Sequence, residues 1–279
     1  MTFEAVSIHG GHSGQFCNHA RDTLEAIIQA YIDKGFAWVG ISEHMPPVSD
    51  RYLYPEERAA GLNAASMADR FDRYFAEGRR LQARYADQIE IFIGFETEAY
   101  TGAIAYARQL IQTHQPDYVL GGIHHVDDIP FDYSAAEYAR AIKAAGDIEA
   151  LYCRYFDQQY ELIEVLGAKV LAHFDLIRLF DPDYLRRWDR PAIAERIRRN
   201  LARIGQLGMI LDFNVAALRK GAAEPYLSKC ILAQALEMNI PVVPGDDAHS
   251  AEMAGTFIAQ GIDALKAAGC QGKWAKPAP

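Results

Sequence analysis

The chain holds four cysteines, Cys17, Cys153, Cys230 and Cys270, and no two of them form a CxxC pair. Their spacing therefore suggests neither a zinc ribbon nor a disulfide framework. No apolar run reaches the roughly 18 residues needed to span a membrane, so no membrane partner is expected. The opening residues MTFEAVSIHGG carry neither a basic segment nor a long apolar one. No secretion signal is expected, and the expected location is the cytoplasm. Positive charge is in short supply: 28 Lys and Arg stand against 37 Asp and Glu, for a formal net charge of -9. A nucleic-acid groove needs a basic footprint, so nucleic acid is not an expected partner. The glycine-rich fingerprint of dinucleotide-binding folds is missing, and so are repeats and low-complexity segments.

What remains is a sequence of 279 residues, half of them apolar, which suits one domain with a sizeable core. Seven apolar runs read as strands: FEAVSI, FAWVGIS, IEIFIGF, DYVLGGI, AKVLAHF, MILDFN and IPVVPG. Longer amphipathic segments separate them, among them ASMADRFDRYFAEGRRLQARYA and AIAERIRRNLARIGQLG. The first of these helices shows its limits clearly. Asp22 and Glu25 have capping-box spacing, Leu24, Ile27, Ile28 and Tyr31 recur at helical spacing, and Gly35 marks the stop. Alternation of this kind predicts an α/β fold with parallel strands, and the length favours a closed barrel over an open sheet. The predicted domain covers residues 1–271, with 272–279 (GKWAKPAP) as a loose tail.

The C-terminal ends of the seven runs carry the signal. They hold, in order, His9, Glu43-His44, Glu96, His124-His125, His173, Asn214, and Asp247 with His249. In a β/α barrel the active site is assembled at that face from the ends of different strands. With only nine histidines in the chain, so many strand ends would seldom be marked by chance. The first loop, HGGHSGQFCNHA, alone has His9, His12 and His19. Imidazole and carboxylate together suit zinc, iron(II) or manganese. The candidates His9, His12, His19, His44, Glu96, His124, His173, Asp247 and His249 are too many for one ion, which takes three or four protein ligands. Clustered ions a few Å apart can clamp the oxygens of a phosphoryl group.

HGGH with FCNH, SEH (42–44), GFETE (94–98), GGIHHVDDIPFD (121–132), LAHFDLIR (171–178), FNVAALRK (213–220) and GDDAH (245–249) occur in this order along nearly the whole chain. Together they resemble the PHP (polymerase and histidinol phosphatase) superfamily, and within it the monofunctional histidinol-phosphate phosphatases. The resemblance implies a distorted (β/α)7 TIM-like barrel of one domain with two or three divalent ions (zinc, iron or manganese). It places a first ion on His9, His12, Glu96 and Asp247, a second on Glu96, His124 and His173, and a third on His19, His44 and His249. It implies that Arg178 and Arg219 grip a substrate phosphate, which suits guanidinium forks. The proton for the leaving alkoxide is expected from Asp247, His249 or a bound water, and the sequence does not choose among them. The implied reaction is hydrolysis of a small phosphomonoester, L-histidinol phosphate, in histidine biosynthesis.

One departure stands out. The family opens with HxH, and here the spacing is HGGH. Residues three apart on a strand face opposite sides, so His12 joins His9 only if Gly10 and Gly11 break strand geometry by turn or bulge dihedrals. Other residues have plainer readings. His114 reads as a solvated histidine in a last helical turn, His125 as pointing away from its neighbour, and Cys17 as a small buried residue. Asp175, Glu98 and Asp246 read either as acceptors for an imidazole N–H or as loop caps. Three rival functions stand beside the main one. They are a PHP phosphoesterase for another small ester or nucleotide, an amidohydrolase-type barrel, and a non-catalytic metal-binding module. The amidohydrolase pattern wants HxH, a bridging lysine after the fourth strand and an eighth strand, none of which is present.

Overall fold

The computed structural model describes residues 3–277. Seven parallel strands form the barrel: β1 (Val6–Ser7), β2 (Trp38–His44), β3 (Glu90–Glu96), β4 (Tyr118–Gly121), β5 (Val170–Leu171), β6 (Ile210–Asn214) and β7 (Val242–Gly245). Each pairs with its sequence neighbour in parallel register. Between β7 and β1 the ring is nearly closed by the Ile8 N–H, which donates to the Pro244 carbonyl at 2.9 Å. The longest helix after each strand is, in order, α1 (Leu24–Asp33), α2 (Ala64–Arg84), α3 (Ala103–His114), α4 (Ile148–Leu166), α5 (Pro191–Leu207), α6 (Lys229–Glu237) and α7 (Ile258–Ala267), with the shorter helices Pro55–Ala59, Ala135–Ala145, Tyr184–Trp188 and Ala216–Arg219 preceding α2, α4, α5 and α6. The expected (β/α)7 barrel is the observed fold. No helix among the described residues is long and apolar enough to cross a membrane.

Period-two alternation explains how this barrel makes a site. Val6, Ile8, Trp38, Tyr118, Leu120, Val170, Ala172, Ile210 and Val243 form one buried cluster, separate from the larger core under the helices. These are the inward rows of the strands, and they fill the lower barrel with apolar side chains. Continued two residues at a time, the same rows turn polar toward the strand ends. Trp38 leads through Gly40 and Ser42 to His44, Phe92 through Gly94 to Glu96, and Ile210 to Asp212 and Asn214. The apolar floor thus lies directly beneath a layer of carboxylates and imidazoles.

Two local expectations change. The N-cap of α1 is Thr23, whose side chain accepts from the Ala26 N–H, while Asp22 takes a left-handed φ of 67° just outside the helix. Glu25 is drawn off to Arg80 and Arg84 on α2 and to Tyr85 just past its end, instead of closing a capping box. The tail is not loose over 272–277. Trp274 and Ala275 pack against the apolar barrel floor, and the Trp274 indole donates to the Glu4 carbonyl at 2.9 Å. An indole has enough apolar surface to seal the open lower end of a barrel while its N–H finds a partner. Residues 278–279 of the expected tail lie outside the described residues.

Candidate metal centre

Glu96, at the end of β3, is the hub. Its Oε1 lies 2.7 Å from His173 Nε2 and 3.0 Å from His124 Nε2. Its Oε2 lies 3.2 Å from His9 Nε2, 3.8 Å from His44 Nδ1 and 3.9 Å from His12 Nε2. The carboxylate therefore faces two sets of imidazoles, one with each oxygen. Gly122 makes this approach possible, because a Cβ there would stand 2.7 Å from Glu96 Oε1 and 2.8 Å from His124 Nε2.

Asp247 is the second carboxylate, with Oδ1 at 3.1 Å from His12 Nε2 and 3.8 Å from both His9 Nε2 and His249 Nδ1. Four groups have ligand atoms close enough to share an ion: His9–Glu96–His173, His9–His12–Asp247, His44–Glu96–His124 and His12–His44–His249. The first three overlap the two inner sets expected from the sequence. The outer set differs. His12 joins His44 and His249, while the His19 ring stands on the solvent side, 4.7 Å from that of His249 and 5.3 Å from that of His44.

Buried polar atoms without a hydrogen-bond partner are rare in folded proteins, and they concentrate here. His9 Nε2, both ring nitrogens of His12, and His44 Nδ1 are buried without a partner among the described residues. Lone pairs of this kind, converging on ionised carboxylates, fit divalent cations. Backbone strain marks the same place: His173 and Asp247 have left-handed φ values of 24° and 46°. Such a conformation costs about 1–3 kcal/mol per non-glycine residue and persists where the surroundings over-determine it.

Electrostatics divides the cluster. Burial opposes ionisation of Glu96, but the charges of His9, His124 and His173 outweigh it and hold this carboxyl well below the usual range. Asp247 is held low in the same way, against burial, by His9, His12 and His249. Burial disfavours charge on His12, yet Asp247 and Glu43 raise its pKa to about 9. Desolvation by the rings crowded around it lowers His19 to about 4, burial lowers His249 to about 3, and the charge of His12 assists both, leaving them as neutral potential ligands.

Behind the histidines stand carboxylates to which the sequence reading gave no role, although it noted Glu43 at a strand end. Asp212 Oδ2 is 2.9 Å from His9 Nδ1, Asp132 Oδ2 is 2.8 Å from His124 Nδ1, and Glu43 Oε2 is 3.8 Å from His12 Nδ1. Such partners fix the ring orientation and tautomer of a metal-binding histidine. A signal for Asp212 was present, since it interrupts the apolar strand ILDFN two residues before Asn214, on the same face. Asp175 has the capping role: it accepts from the Leu227 and Ser228 amides, and among the described residues it makes no hydrogen bond to an imidazole. Glu98 accepts from His125 at 3.0 Å, and Asp246 holds Ser7, Tyr31 and the Gly255 N–H below the site. His114 is packed rather than solvated, its ring stacked 4.6 Å from that of Phe75.

The two arginines expected at the phosphate are committed elsewhere. Arg178 is buried between the Tyr184 and Tyr226 rings and donates to Asp175 and to the Glu224 and Pro225 carbonyls. Arg219 donates to the carbonyls of Asp246 and Asp247, at 2.9 and 2.6 Å, and so braces the Asp247 loop. The cation lining the cavity over the cluster is Lys220. That cavity, of about 290 Å³, also exposes His19, His44, Glu96, His124, Asp247 and His249. Gly10 and Gly11 act by size, not by dihedral angle, for neither has a left-handed φ. A Cβ at Gly10 would collide with the Gly40 carbonyl, and one at Gly11 with Ile27. His12 reaches the cluster because its N–H is anchored on the Ala248 carbonyl at 2.7 Å.

A strand-end cluster of histidines around a shared glutamate, on a seven-stranded barrel, defines a class. The chain belongs to the PHP domain family, whose pattern matches residues 10–216. Among individual relatives, it is 36% identical over 254 residues to a probable histidinol-phosphatase of Schizosaccharomyces pombe, covering 90% of this chain and 82% of that one. It is 28% identical to the histidinol-phosphatase of Saccharomyces cerevisiae, over 88% of this chain and 84% of the relative. The fold matches the crystal structure of a putative histidinol phosphatase from Listeria monocytogenes with a TM-score of 0.80, at 24% identity, covering 91% of this chain and 99% of that one. It also matches a histidinol phosphate phosphatase from Lactococcus lactis, solved with zinc, L-histidinol and phosphate, with a TM-score of 0.71 at 18% identity, covering 96% of this chain and 95% of the other.

Proposed function

We propose that this chain is a metal-dependent phosphomonoesterase that hydrolyses L-histidinol phosphate to L-histidinol and inorganic phosphate. The observation that carries the reading is Glu96, whose two oxygens face separate groups of histidines from several strands. Similarity to the two yeast relatives supports the substrate. His9, His12, His44, Glu96, His124, His173, Asp247 and His249 would hold two or three divalent ions (zinc, iron or manganese), with His19 at the outer edge. Such ions, when bound, acidify water and neutralise phosphoryl charge.

The chain's own groups do the rest. Asp212 and Asp132 orient His9 and His124. Arg219 holds Asp247 in its left-handed conformation through two carbonyls. Lys220, with no ion pair among the described residues, supplies positive charge to the phosphate at the cavity wall. Arg178 ties Asp175 to the Glu224 and Pro225 carbonyls away from the cavity lining. The test is phosphate release from L-histidinol phosphate by protein loaded with zinc, iron(II) or manganese, beside a chelated sample. Turnover that disappears on chelation and returns with metal is expected. Turnover of other phosphomonoesters but not of L-histidinol phosphate would favour a different small-ester phosphoesterase. Metal binding without any turnover would favour a non-catalytic module.

A further inference from the structure

The outer wall of the cavity contains a group that the metal cluster does not use. Tyr54, Glu56, Asp132, Tyr133 and Lys220 form that wall. Asp132 is committed to His124. Glu56 is not committed to any cation: no Lys, Arg or His lies within ion-pair distance of it among the described residues, and its Oε2 accepts from the Tyr133 hydroxyl at 3.1 Å. The Tyr54 and Tyr133 rings stack beside it, with centroids 5.7 Å apart and planes 26° from parallel. Local structure explains why Glu56 is available. It sits in the first turn of the short helix Pro55–Ala59, but the adjacent Glu57 closes the cap by accepting from the Tyr54 N–H at 2.8 Å. Glu56 is left to face the cavity.

An unpaired carboxylate beside two aromatic faces suits an ammonium group, which gains a charge-assisted hydrogen bond and an attraction to the rings. We infer that Glu56, held by Tyr133, binds the ammonium group of a phosphorylated amino alcohol and so selects the alcohol side of the substrate. The assignment rests on the phosphomonoesterase reading and adds the feature by which one ester is told from another. It makes Glu56 a specificity residue that acts in binding and takes no part in the reaction at phosphorus.

The test uses the metal-loaded enzyme and its Glu56→Gln variant, with melting curves to confirm folding. L-histidinol phosphate is compared with p-nitrophenyl phosphate, which lacks an amine, and the dissociation constant of L-histidinol is measured separately. Losing a charged hydrogen bond is worth roughly 1.5–3 kcal/mol, so KM for L-histidinol phosphate should rise about 10- to 100-fold, with kcat changed less than about twofold. L-histidinol should bind more weakly by a similar factor, and KM for p-nitrophenyl phosphate should stay the same. Equal effects on both esters, or no effect on either, would overturn the assignment. If the wild-type enzyme ignores L-histidinol phosphate but cleaves p-nitrophenyl phosphate, the substrate reading fails. Glu56 is then judged on O-phosphoethanolamine against ethyl phosphate. A variant that discriminates this pair as well as wild type overturns it, and one that loses the preference supports it.

Discussion

Asp212 Oδ2 lies 2.9 Å from His9 Nδ1, with both side chains fully buried, and the opposite ring nitrogen of His9 faces Glu96. One carboxylate thus sets the direction in which the histidine offers its lone pair to the other side of the cluster. Replacing such a partner typically weakens metal affinity by about 10- to 100-fold. Asp212→Asn should do so while preserving the fold, as read by competition with a chromogenic chelator. Unchanged affinity would show that Asp212 is not needed to orient His9.

Glu96→Gln should be more damaging than any single histidine change, because it removes charge from both sides of the hub. The expected result is loss of more than one ion per chain by elemental analysis, with turnover down by roughly a hundredfold or more. A variant with normal metal content would remove the shared carboxylate from the centre.

Gly11→Val and His12→Ala should separate packing from ligation. The valine meets buried Ile27 on α1, so the fold should lose the roughly 1–3 kcal/mol typical of overpacking, read as a lower melting temperature. His12→Ala should lower metal content with a smaller effect on melting. If the histidine variant keeps full occupancy and rate, His12 is a spectator.

In metal-stripped protein the charge on His12 should govern uptake. Its pKa is raised to about 9, against burial, by Asp247 and Glu43. An ion must therefore displace a proton at neutral pH, and zinc affinity should climb as pH rises toward 9. The same group stabilises the metal-free fold below its unfolded value of about 6.5, and that contribution fades as pH rises through about 9. Melting temperatures of stripped wild type and His12→Ala across this range check the sign. A parallel decline in both would assign the pH dependence to other groups.

Lys220→Gln should raise KM for phosphomonoesters and the inhibition constant of inorganic phosphate by about tenfold, with metal content intact. Arg219→Gln should instead reduce metal content, since Arg219 holds the carbonyls of Asp246 and Asp247. The reverse pattern would restore Arg219 as the phosphate-binding cation.

The candidate ligands were readable in the sequence because a β/α barrel places strand ends at one face. His9, His44, Glu96, His124, His173, Asp247 and His249 could be collected without knowing a single distance. The supporting layer was harder to see. Asp132 follows the strand by a whole hairpin, His125–Val126 with Ile129–Pro130, before returning to His124. Glu43 sits next to the candidate ligand His44 and faces His12 from the adjacent strand, with Ser13 donating to it twice.

By itself the sequence determined the alternation of strands and helices and the chemistry at the strand ends, since both follow from local periodicity and residue type. Only the tertiary structure decided which histidines come close enough to share an ion. That depends on where loops from different strands converge, and His12, anchored by the distant Ala248 carbonyl, entered the outer group ahead of His19. It also decided which cation faces the cavity. Arg219 and Lys220 are neighbours in the chain, but Arg219 is captured by two backbone carbonyls of β7's loop while Lys220 turns to the opening. The tail followed the same rule. Nothing local orders residues 272–277, but the open apolar floor of the barrel gives Trp274 a surface to cover.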